Sequence, residues 1–337
     1  MKAKPIASLS LDLDNKWSYM KTHGDAGWET FPSYLDTVVP RALKFLSERN
    51  LSITFFLVGQ DAALEKNHEA LKQISAAGHE IGNHSFHHEP WLHLYPEEEI
   101  EAELAQAEEA IEAVTGQRPV GFRGPGFIFS NEILRVLLRR GYEYDASTFP
   151  TYLGPLARAY YFMTTNLTKE EKQERKDLFG KMSEGFRSVK PYCWQLDDRR
   201  LMEIPVTTMP LLKVPIHVSY VLYLSLFSPT LAVLYFKMAL GLCRLTKTEP
   251  SLLLHPLDFL GADDMSDLAF FPAMRIASAK KLEIVSKVLR LLEENYSVTG
   301  LREYAQIVSA RATSLPSIKP NFSSPQISRM RSISSES

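Results

Sequence analysis

The chain has few cysteines and little net charge, and each shortage excludes a class of protein. Two cysteines in 337 residues, Cys193 and Cys243, cannot form the disulfide framework of a small secreted domain. A formal net charge of -2 argues against nucleic-acid binding, which requires a basic face. No long apolar run follows the basic first residues, because Asp12 and Asp14 interrupt it. We therefore expect no signal peptide and a cytoplasmic location.

Apolar strand-like runs alternate with helix-like runs over most of the chain. Strands are predicted at 6–13, 52–58, 80–83, 120–123, 144–148, 201–206 and 251–255, and helices at 34–49, 66–77, 96–115, 130–139 and 276–294. Successive right-handed βα units build a parallel sheet. The sequence therefore predicts an α/β fold with polar motifs at the C-terminal ends of its strands, where a closed barrel has its active site.

Two segments interrupt this alternation, and a polar tail follows. Residues 151–200 form a predicted insertion with a charged helix near 168–181. Residues 208–247 form a second, apolar insertion, which has no Asp, Glu, Lys or Arg over 214–236. Pro215 and Pro229 favour an amphipathic or buried helical hairpin here over a transmembrane helix. Residues 312–337 are rich in serine and proline, so we expect a disordered tail after a single domain over 1–311.

A pair of histidines and a pair of aspartates carry the first chemical signal. His84 and His88 are four residues apart, a spacing that in a helical turn places two imidazoles on one face. Asp12 and Asp14 end the first predicted strand and point the same way if that strand is regular. Two imidazoles and a carboxylate can hold a divalent metal while leaving positions open for water. Such a set is typical of a hydrolase.

Five motifs, in order along the chain, resemble those of the polysaccharide deacetylase family, the NodB-homology domain of carbohydrate esterase type. They are Asp12-Leu13-Asp14, His84-Ser85-Phe86-His87-His88, Arg123-Gly124-Pro125-Gly126, Asp145-Ala146-Ser147 and Leu253-Leu254-His255-Pro256. The resemblance implies a distorted (β/α)7-8 barrel that carries the helical, partly apolar insertion. It also implies hydrolysis of an N-acetyl or other N-acyl group on a carbohydrate.

The resemblance further implies roles for the motif residues. The implied ligands of a divalent metal, often zinc in this family, are Asp14, His84 and His88. Asp12 would be the general base, and Arg123 would pair with it and keep it ionised. Asp145 would anchor Arg123 from behind, and His255 would be the general acid that protonates the departing amine. Such a base and acid each contribute about 10²–10⁴ in rate.

Substrate contacts are predicted from four residues. Leu253 would line the acyl pocket. The family usually has an aromatic residue where Gly126 stands. The backbone N–H of Gly126 would still donate to the oxyanion, but Phe127 or Phe149 would have to supply the aromatic wall for the sugar. Residues 17–32 are interpreted as an aromatic loop in which Trp17 either stacks on a sugar ring or packs on the barrel rim.

The apolar segment 210–245 suggests a narrower substrate. A lipid-linked sugar or glycolipid would explain such a segment, through peripheral contact with the inner face of a membrane. The nearest alternative uses the same metal site on a non-sugar amide such as a cyclic ureide, as in allantoinase-like relatives. A carbohydrate-binding protein that keeps the fold without turnover is a less favoured alternative.

Overall fold

A mainly parallel sheet forms the centre of the molecule. The computed structural model describes residues 4–156, 159, 163, 182–311 and 315–320. The strands are β1 (Ile6–Asp12), β2 (Thr54–Leu57), β3 (Glu80–Asn83), β4 (Gly121–Phe122), β5 (Tyr144–Asp145), β6 (Tyr192–Leu196), β7 (Arg199–Glu203), β8 (Ser251–Leu254), β9 (Ser297–Thr299) and β10 (Ser317–Ile318). Among these strands, only β6 and β7 pair antiparallel. The predicted α/β class is confirmed.

The strands follow the order β10-β6-β7-β5-β4-β3-β2-β1-β8, with β9 on the first residues of β1. The chain after β7 closes this sheet into a distorted barrel. The Ile204 amide donates to the Asp145 carbonyl on one side, and the Thr207 amide donates to the Ser251 carbonyl on the other, at 2.8 and 2.9 Å. The Ser251 amide in turn donates to Thr207 Oγ1 at 2.8 Å. β6 and β10 therefore lie outside the closed ring.

Helices cover the sheet. They are α1 (Lys16–His23), α2 (Leu35–Ser47), α3 (Gly59–Ala62), α4 (His68–Ala76), α5 (Glu97–Thr115), α6 (Asn131–Arg140), α7 (Val218–Ser225), α8 (Pro229–Leu245), α9 (Ser278–Asn295) and α10 (Leu301–Arg311). The predicted start of α6 is confirmed, since the Ser130 side chain accepts from the Ile133 amide. All seven residues of β1 are buried, as expected for a strand with neighbours on both faces.

Three parts of the chain differ from expectation. Residues 17–23, predicted as part of a loop, belong to α1, because the Asn15 side chain caps the Lys16 amide and Gly24 ends the helix at φ +89°. Residues 315–320, placed in the disordered tail, include β10, which pairs with β6. The predicted helix near 168–181 lies outside the described residues, as do 312–314 and 321–337.

The apolar insertion forms the two packed helices α7 and α8, as the hairpin prediction required. Within the described part of the chain, no helix has both the length and the apolar character needed to cross a bilayer.

Candidate metal centre and active site

The predicted site residues follow the C-terminal ends of neighbouring strands. Asp12 is the last residue of β1, and Asp14 follows two residues later. His84 follows β3 and Arg123 follows β4. His255 follows β8, which pairs with β1 on the side opposite to β2. Because these strands are parallel, their ends meet at one rim of the barrel.

Asp14, His84 and His88 converge at this rim, with ligand atoms within 4.8 Å of one another. Asp14 Oδ1 lies 3.0 Å from His88 Nε2 and 3.3 Å from His84 Nε2. His84 is 2% exposed and Asp14 is 9% exposed, so little water competes for these atoms. No other group of three or more potential ligands was found among the described residues.

The hydrogen bonds of this trio fit a cation. His84 Nδ1 lies 2.6 Å from the Arg123 carbonyl, which can only accept, so Nδ1 carries the hydrogen. A neutral His84 then presents the lone pair of Nε2 to Asp14 Oδ1, which is also an acceptor. Two acceptors that face each other need a cation or a proton between them. A carbonyl behind a ligating imidazole is the usual support in a metal site.

Burial and neighbouring charges shift the pKa values of all three residues of the trio. Burial alone would raise the pKa of Asp14, but His88 and His84 hold it well below its usual range. Burial alone would lower the pKa of His84, yet the charges of Asp12 and Asp14 outweigh burial and raise it. Burial lowers the pKa of His88 despite Asp14. An ionised carboxylate beside one neutral imidazole is a suitable ligand set for a metal.

The loop from His84 to His88 is not the helical turn that the spacing suggested. Ser85 and His88 have φ of +61° and +52°. The carbonyls of Ser85 and Phe86 accept from Gly59 and Gln60 of α3 instead of from their own chain, at 2.8 and 2.9 Å. The two imidazoles meet, with ring centroids 5.0 Å apart, because neighbouring elements shape the loop.

Glu103 of α5 holds this loop from the other side. Its Oε1 accepts the amides of Phe86 and His87, at 3.0 and 2.6 Å, and its Oε2 lies 2.6 Å from His87 Nδ1. Gly59 is needed where the loop meets α3, since a Cβ there would lie 2.6 Å from Phe86 Cδ2. The role of Glu103 was missed in the sequence, where it is one of many glutamates on α5.

Asp12 is held by a buried arginine. Arg123 Nη1 lies 2.6 Å from Asp12 Oδ1 and 2.8 Å from Ser10 Oγ, and Nε donates to the Ala146 carbonyl at 3.0 Å. Arg123 is fully buried and Asp12 is 3% exposed. A buried, charge-assisted pair of this kind fixes the orientation of the carboxylate. Ser10 was not among the predicted residues, although it precedes Asp12 by two positions and so shares its face.

Asp145 lies behind this pair, but its hydrogen bonds go elsewhere. Its Oδ1 accepts from the Ser147 hydroxyl, and no bond from Arg123 to Asp145 is present among the described contacts. Burial and the nearby charge of Glu203 raise the pKa of Asp145 well above its usual range. Glu203 accepts from Thr148 and from the indole of Trp194. The predicted anchoring of Arg123 by Asp145 therefore has no direct bond to support it.

His255 follows β8, the strand next to β1, and has a second histidine beside it. The ring centroids of His255 and His217 are 5.9 Å apart. Burial lowers the pKa of His217 well below its usual range, and the charges of His255 and Arg123 add to this effect. His217 is therefore neutral at neutral pH and cannot serve there as a proton donor of the imidazolium type.

The predicted substrate contacts differ in their exposure. Gly126 is exposed at φ +66°, and Phe127 stacks on Phe149 with centroids 4.8 Å apart. Phe149 also contacts His217 at 5.4 Å, so these rings form a continuous row. Leu253 is fully buried in β8 beside Ser10 of β1.

Trp17 is 1% exposed and does not offer a free face. Its Nε1 donates to Asp61 Oδ1 at 2.9 Å, and its ring meets Trp28, Phe31 and His88. This placement corresponds to the packed alternative for the aromatic segment. Trp28 and Phe31 are half-buried beside it, with Lys21 Nζ 5.0 Å from the centroid of Trp28.

A closed α/β barrel with an Asp-His-His set and a buried Asp-Arg pair at one rim defines a class of barrel proteins with a candidate metal centre. The chain belongs to the polysaccharide deacetylase family, whose model, described as "Polysaccharide deacetylase", matches residues 21–144. That stretch contains His84, His88 and Arg123. The resemblance inferred from the five motifs is confirmed.

Individual relatives agree with this membership. The chain is 31% identical over 211 residues to a peptidoglycan deacetylase of Helicobacter pylori, a match that covers 59% of this chain and 68% of that protein. It is 32% identical over 111 residues to a peptidoglycan-N-acetylmuramic acid deacetylase of Bacillus subtilis, covering 33% of this chain and 41% of the relative. A crystal structure from Mycobacterium smegmatis, provisionally assigned as a polysaccharide deacetylase, aligns over 97% of both chains at 21% identity, with a TM-score of 0.62. At this identity the alignment supports the distorted barrel fold alone.

Proposed function

We propose that this protein is a metal-dependent hydrolase that removes an N-acetyl or other N-acyl group from a carbohydrate. The observation that carries the proposal is the convergence of Asp14, His84 and His88 beside the buried Asp12–Arg123 pair. Zinc is the metal we expect, because imidazole and carboxylate ligands with open positions suit it. The names of the relatives, which include a chitooligosaccharide deacetylase, support an N-acetylated sugar as the substrate class.

The residues around this centre have separate tasks in the proposed reaction. When bound, a divalent metal supplies a Lewis acid that polarises a water molecule and the acyl oxygen. Asp12 accepts the proton of the attacking water, and Arg123 keeps Asp12 ionised and aimed at the cleft. His255 gives a proton to the departing amine. The row of Phe127 and Phe149 provides an aromatic side for the sugar.

Metal content tests the site directly. We expect near-stoichiometric zinc, measured by mass spectrometry, in the purified protein after metal-replete preparation. The His84→Ala/His88→Ala double variant should lose that metal, because two of the three ligands are removed. His68→Ala is the matched control, since the His68 imidazole bonds only to the Ala62 carbonyl among its described contacts. Equal metal in the wild type and the double variant, or none in either, would make the proposed site wrong.

A small substrate panel separates the proposed activity from its alternatives. Release of acetate or another acyl group from N-acylated sugars supports the proposal. Turnover of a cyclic ureide without turnover of sugars would favour the allantoinase-like alternative. Sugar binding without any product, unchanged in Asp12→Asn and His255→Ala variants, would favour the non-catalytic alternative.

The apolar insertion supports a narrower proposal: the substrate is a lipid-linked sugar or glycolipid, reached from the cytoplasmic face of a membrane. One face of α8 exposes the residues that we call the apolar stripe, namely Leu231, Leu234, Met238 and Leu245, at 63, 57, 49 and 75% exposure. Their spacing of three, four and seven residues places them on one side of the helix.

The charges around the apolar stripe favour an anionic lipid surface as its partner. No acidic residue lies between Glu203 and Glu249, whereas Lys237, Arg244 and Lys247 are exposed on or next to α8. Apolar side chains flanked by cations, on a helix too short to span a bilayer, are typical of an interfacial helix.

Flotation with lipid vesicles tests this contact. We expect the wild type to float with phosphatidylcholine vesicles that contain phosphatidylglycerol. The Leu231→Glu/Met238→Glu double variant should stay in the soluble fraction, because two apolar contacts become charged. Ile318→Glu, an exposed position on β10, is the control. Equal flotation of the double variant and the wild type would exclude the apolar stripe as a membrane contact without affecting the deacetylase proposal.

A further inference from the structure

The imidazole of His255 is connected to a carboxylate through a serine of the apolar insertion. His255 Nδ1 lies 3.1 Å from Ser219 Oγ, and Ser219 Oγ donates to Asp258 Oδ1 at 2.8 Å. Asp258 Oδ2 accepts the backbone amide of His255 at 2.8 Å. Asp258 is 1% exposed, whereas Ser219 and His255 are half-buried.

The donor and the acceptor of each hydrogen bond in this connection follow from the hydrogens available. A serine hydroxyl has a single hydrogen, and here it goes to Asp258. Ser219 Oγ can then only accept from His255, so Nδ1 must carry a hydrogen. Burial raises the pKa of Asp258, but both of its carboxylate oxygens accept hydrogen bonds, which fits the ionised form. Nε2 is therefore the nitrogen of His255 that remains for exchange with a substrate.

We propose that Ser219 is a positioning residue that links His255 to Asp258 and fixes the Nδ1-protonated form of the ring. The proposal rests on the deacetylase function proposed above, in which His255 Nε2 delivers the proton to the leaving amine. By transmitting the negative charge of Asp258, Ser219 also stabilises the imidazolium that must be present before that transfer.

Ser219 owes its position to the insertion and not to the barrel strands. It is the second residue of α7, directly after His217 and Val218, and His217 and Val218 are both buried. The turn that contains Asp258 is fixed independently, because Lys281 of α9 donates to the carbonyls of Leu257 and Leu260 at 2.7 and 2.6 Å. Two separate elements thus meet at His255.

Other charged or titratable groups around His255 lie on several elements. Among the described residues, those that interact with His255, with His217 or with Asp258 are Asp258 itself, His217 before α7, Tyr220 of α7, Tyr19 of α1, Arg123 after β4 and Lys281 of α9. All six stay in place when only the Ser219 hydroxyl is removed. A change in pH dependence on that substitution therefore reports the connection itself.

The experiment compares Ser219→Ala with Ser219→Thr and Ser225→Ala in the zinc-loaded, full-length protein. Threonine keeps a hydroxyl at the same position. Ser225 is a second serine of α7, and its hydroxyl bonds only to the Leu222 carbonyl among the described contacts. Two quantities are measured: the pH profile of kcat/KM on an N-acetylated sugar oligomer, and the tautomer of His255 by ¹⁵N NMR on histidine-labelled protein, with His255→Gln to assign the signal.

We expect Ser219→Ala to lower kcat/KM by about tenfold and to move the alkaline limb of its profile to lower pH by about one unit, as suits one lost hydrogen bond to a charged group. Its His255 signal should show a mixture of tautomers. Ser219→Thr and Ser225→Ala should resemble the wild type in both measurements.

An unchanged pH profile and an unchanged His255 tautomer in Ser219→Ala would overturn the proposal. A similar loss in Ser225→Ala would do so as well, because it would indicate a general effect of α7. If the wild type turns over no N-acylated sugar, the proposed function fails, whereas the NMR comparison still decides the role of Ser219.

Discussion

Asp61 is a buried carboxyl at the site rim that the proposed reaction does not use. Its Oδ1 accepts from Asn15 Nδ2, Trp17 Nε1 and Asn67 Nδ2, at 2.7, 2.9 and 3.2 Å, while its Oδ2 has no partner among the described residues. Burial raises the pKa of Asp61 to about 7 in spite of these bonds. Asp61 therefore holds Asn15, the residue next to Asp14, in place, although burial disfavours the ionised carboxylate.

Asp61→Asn should remove that cost and keep the three accepted bonds. Because the folded-state pKa is raised, the wild type gains stability from Asp61 at low pH and loses it as pH rises through about 7. The variant does not titrate, so its free energy of unfolding relative to wild type should increase by up to about 4 kcal/mol between pH 4 and pH 8. Urea unfolding of metal-free protein at several pH values measures this difference.

The matched control for Asp61 is Asp36→Asn, at an exposed position of α2. Its difference from wild type should change little over the same pH range. A difference for Asp61→Asn that stays constant from pH 4 to pH 8 would contradict the prediction.

At the scale of single residues, the candidate metal ligands could be predicted from the sequence, but the residues that hold the site in place could not. Asp14, His84 and His88 could be named because their residue types and order are typical of a metal site. Asp61, Glu103 and Ser219 could not, because each is a common polar residue whose role depends on contacts between distant parts of the chain. The burial of Trp17 was equally invisible, since an aromatic residue suits both a core and a sugar site.

Among the elements, the loop from His84 to His88 depends most on its neighbours. Glu103 accepts two of its amides and contacts the His87 ring. We expect Glu103→Ala to weaken zinc binding by about 10–100-fold, as removal of supporting partners does in other metal sites. Competition with a chromophoric chelator measures the affinity. Glu109→Ala, an exposed position on the same helix, is the control.

A folded Glu103→Ala variant with wild-type zinc affinity would show that α3 alone shapes the loop.

The expectation that His84 and His88 lie on a helical turn was wrong. A spacing of four residues is compatible with a helical turn, but the carbonyls of Ser85 and Phe86 find partners on α3 instead. Periodicity along a short segment cannot reveal partners that come from another element.

For the whole molecule, closure of the barrel depends on a few contacts between the chain after β7 and β8. Thr207→Val removes the acceptor of the buried Ser251 amide, so we expect a loss of about 1–3 kcal/mol in the free energy of unfolding. Thr207→Ser keeps the hydroxyl and should resemble the wild type. Urea unfolding of both variants makes the comparison, and equal midpoints would mean that the bond contributes nothing.

The parallel βα units could be predicted from the sequence, but the closure of the barrel could not. Alternating strands and helices such as β3 and α5 indicated parallel βα units, and the strand positions were close to those observed. The antiparallel β6, with β10 beside it, could not be predicted, because Tyr192–Leu196 lies in an insertion without the alternation that marks the barrel. Short strands such as β4, with two residues, are recognisable only once their neighbours are in place.

Helix α7 contributes both to the candidate active site and to the exposed apolar surface of the insertion. Its first turn holds Ser219 against His255, while Tyr223 of the same helix reaches the surface and the next residue after its C-cap, Phe227, is 76% exposed. Trimming the hairpin to make the protein easier to handle would therefore remove a support of the candidate acid. Any replacement of the hairpin in this protein would also have to supply a hydroxyl at His255.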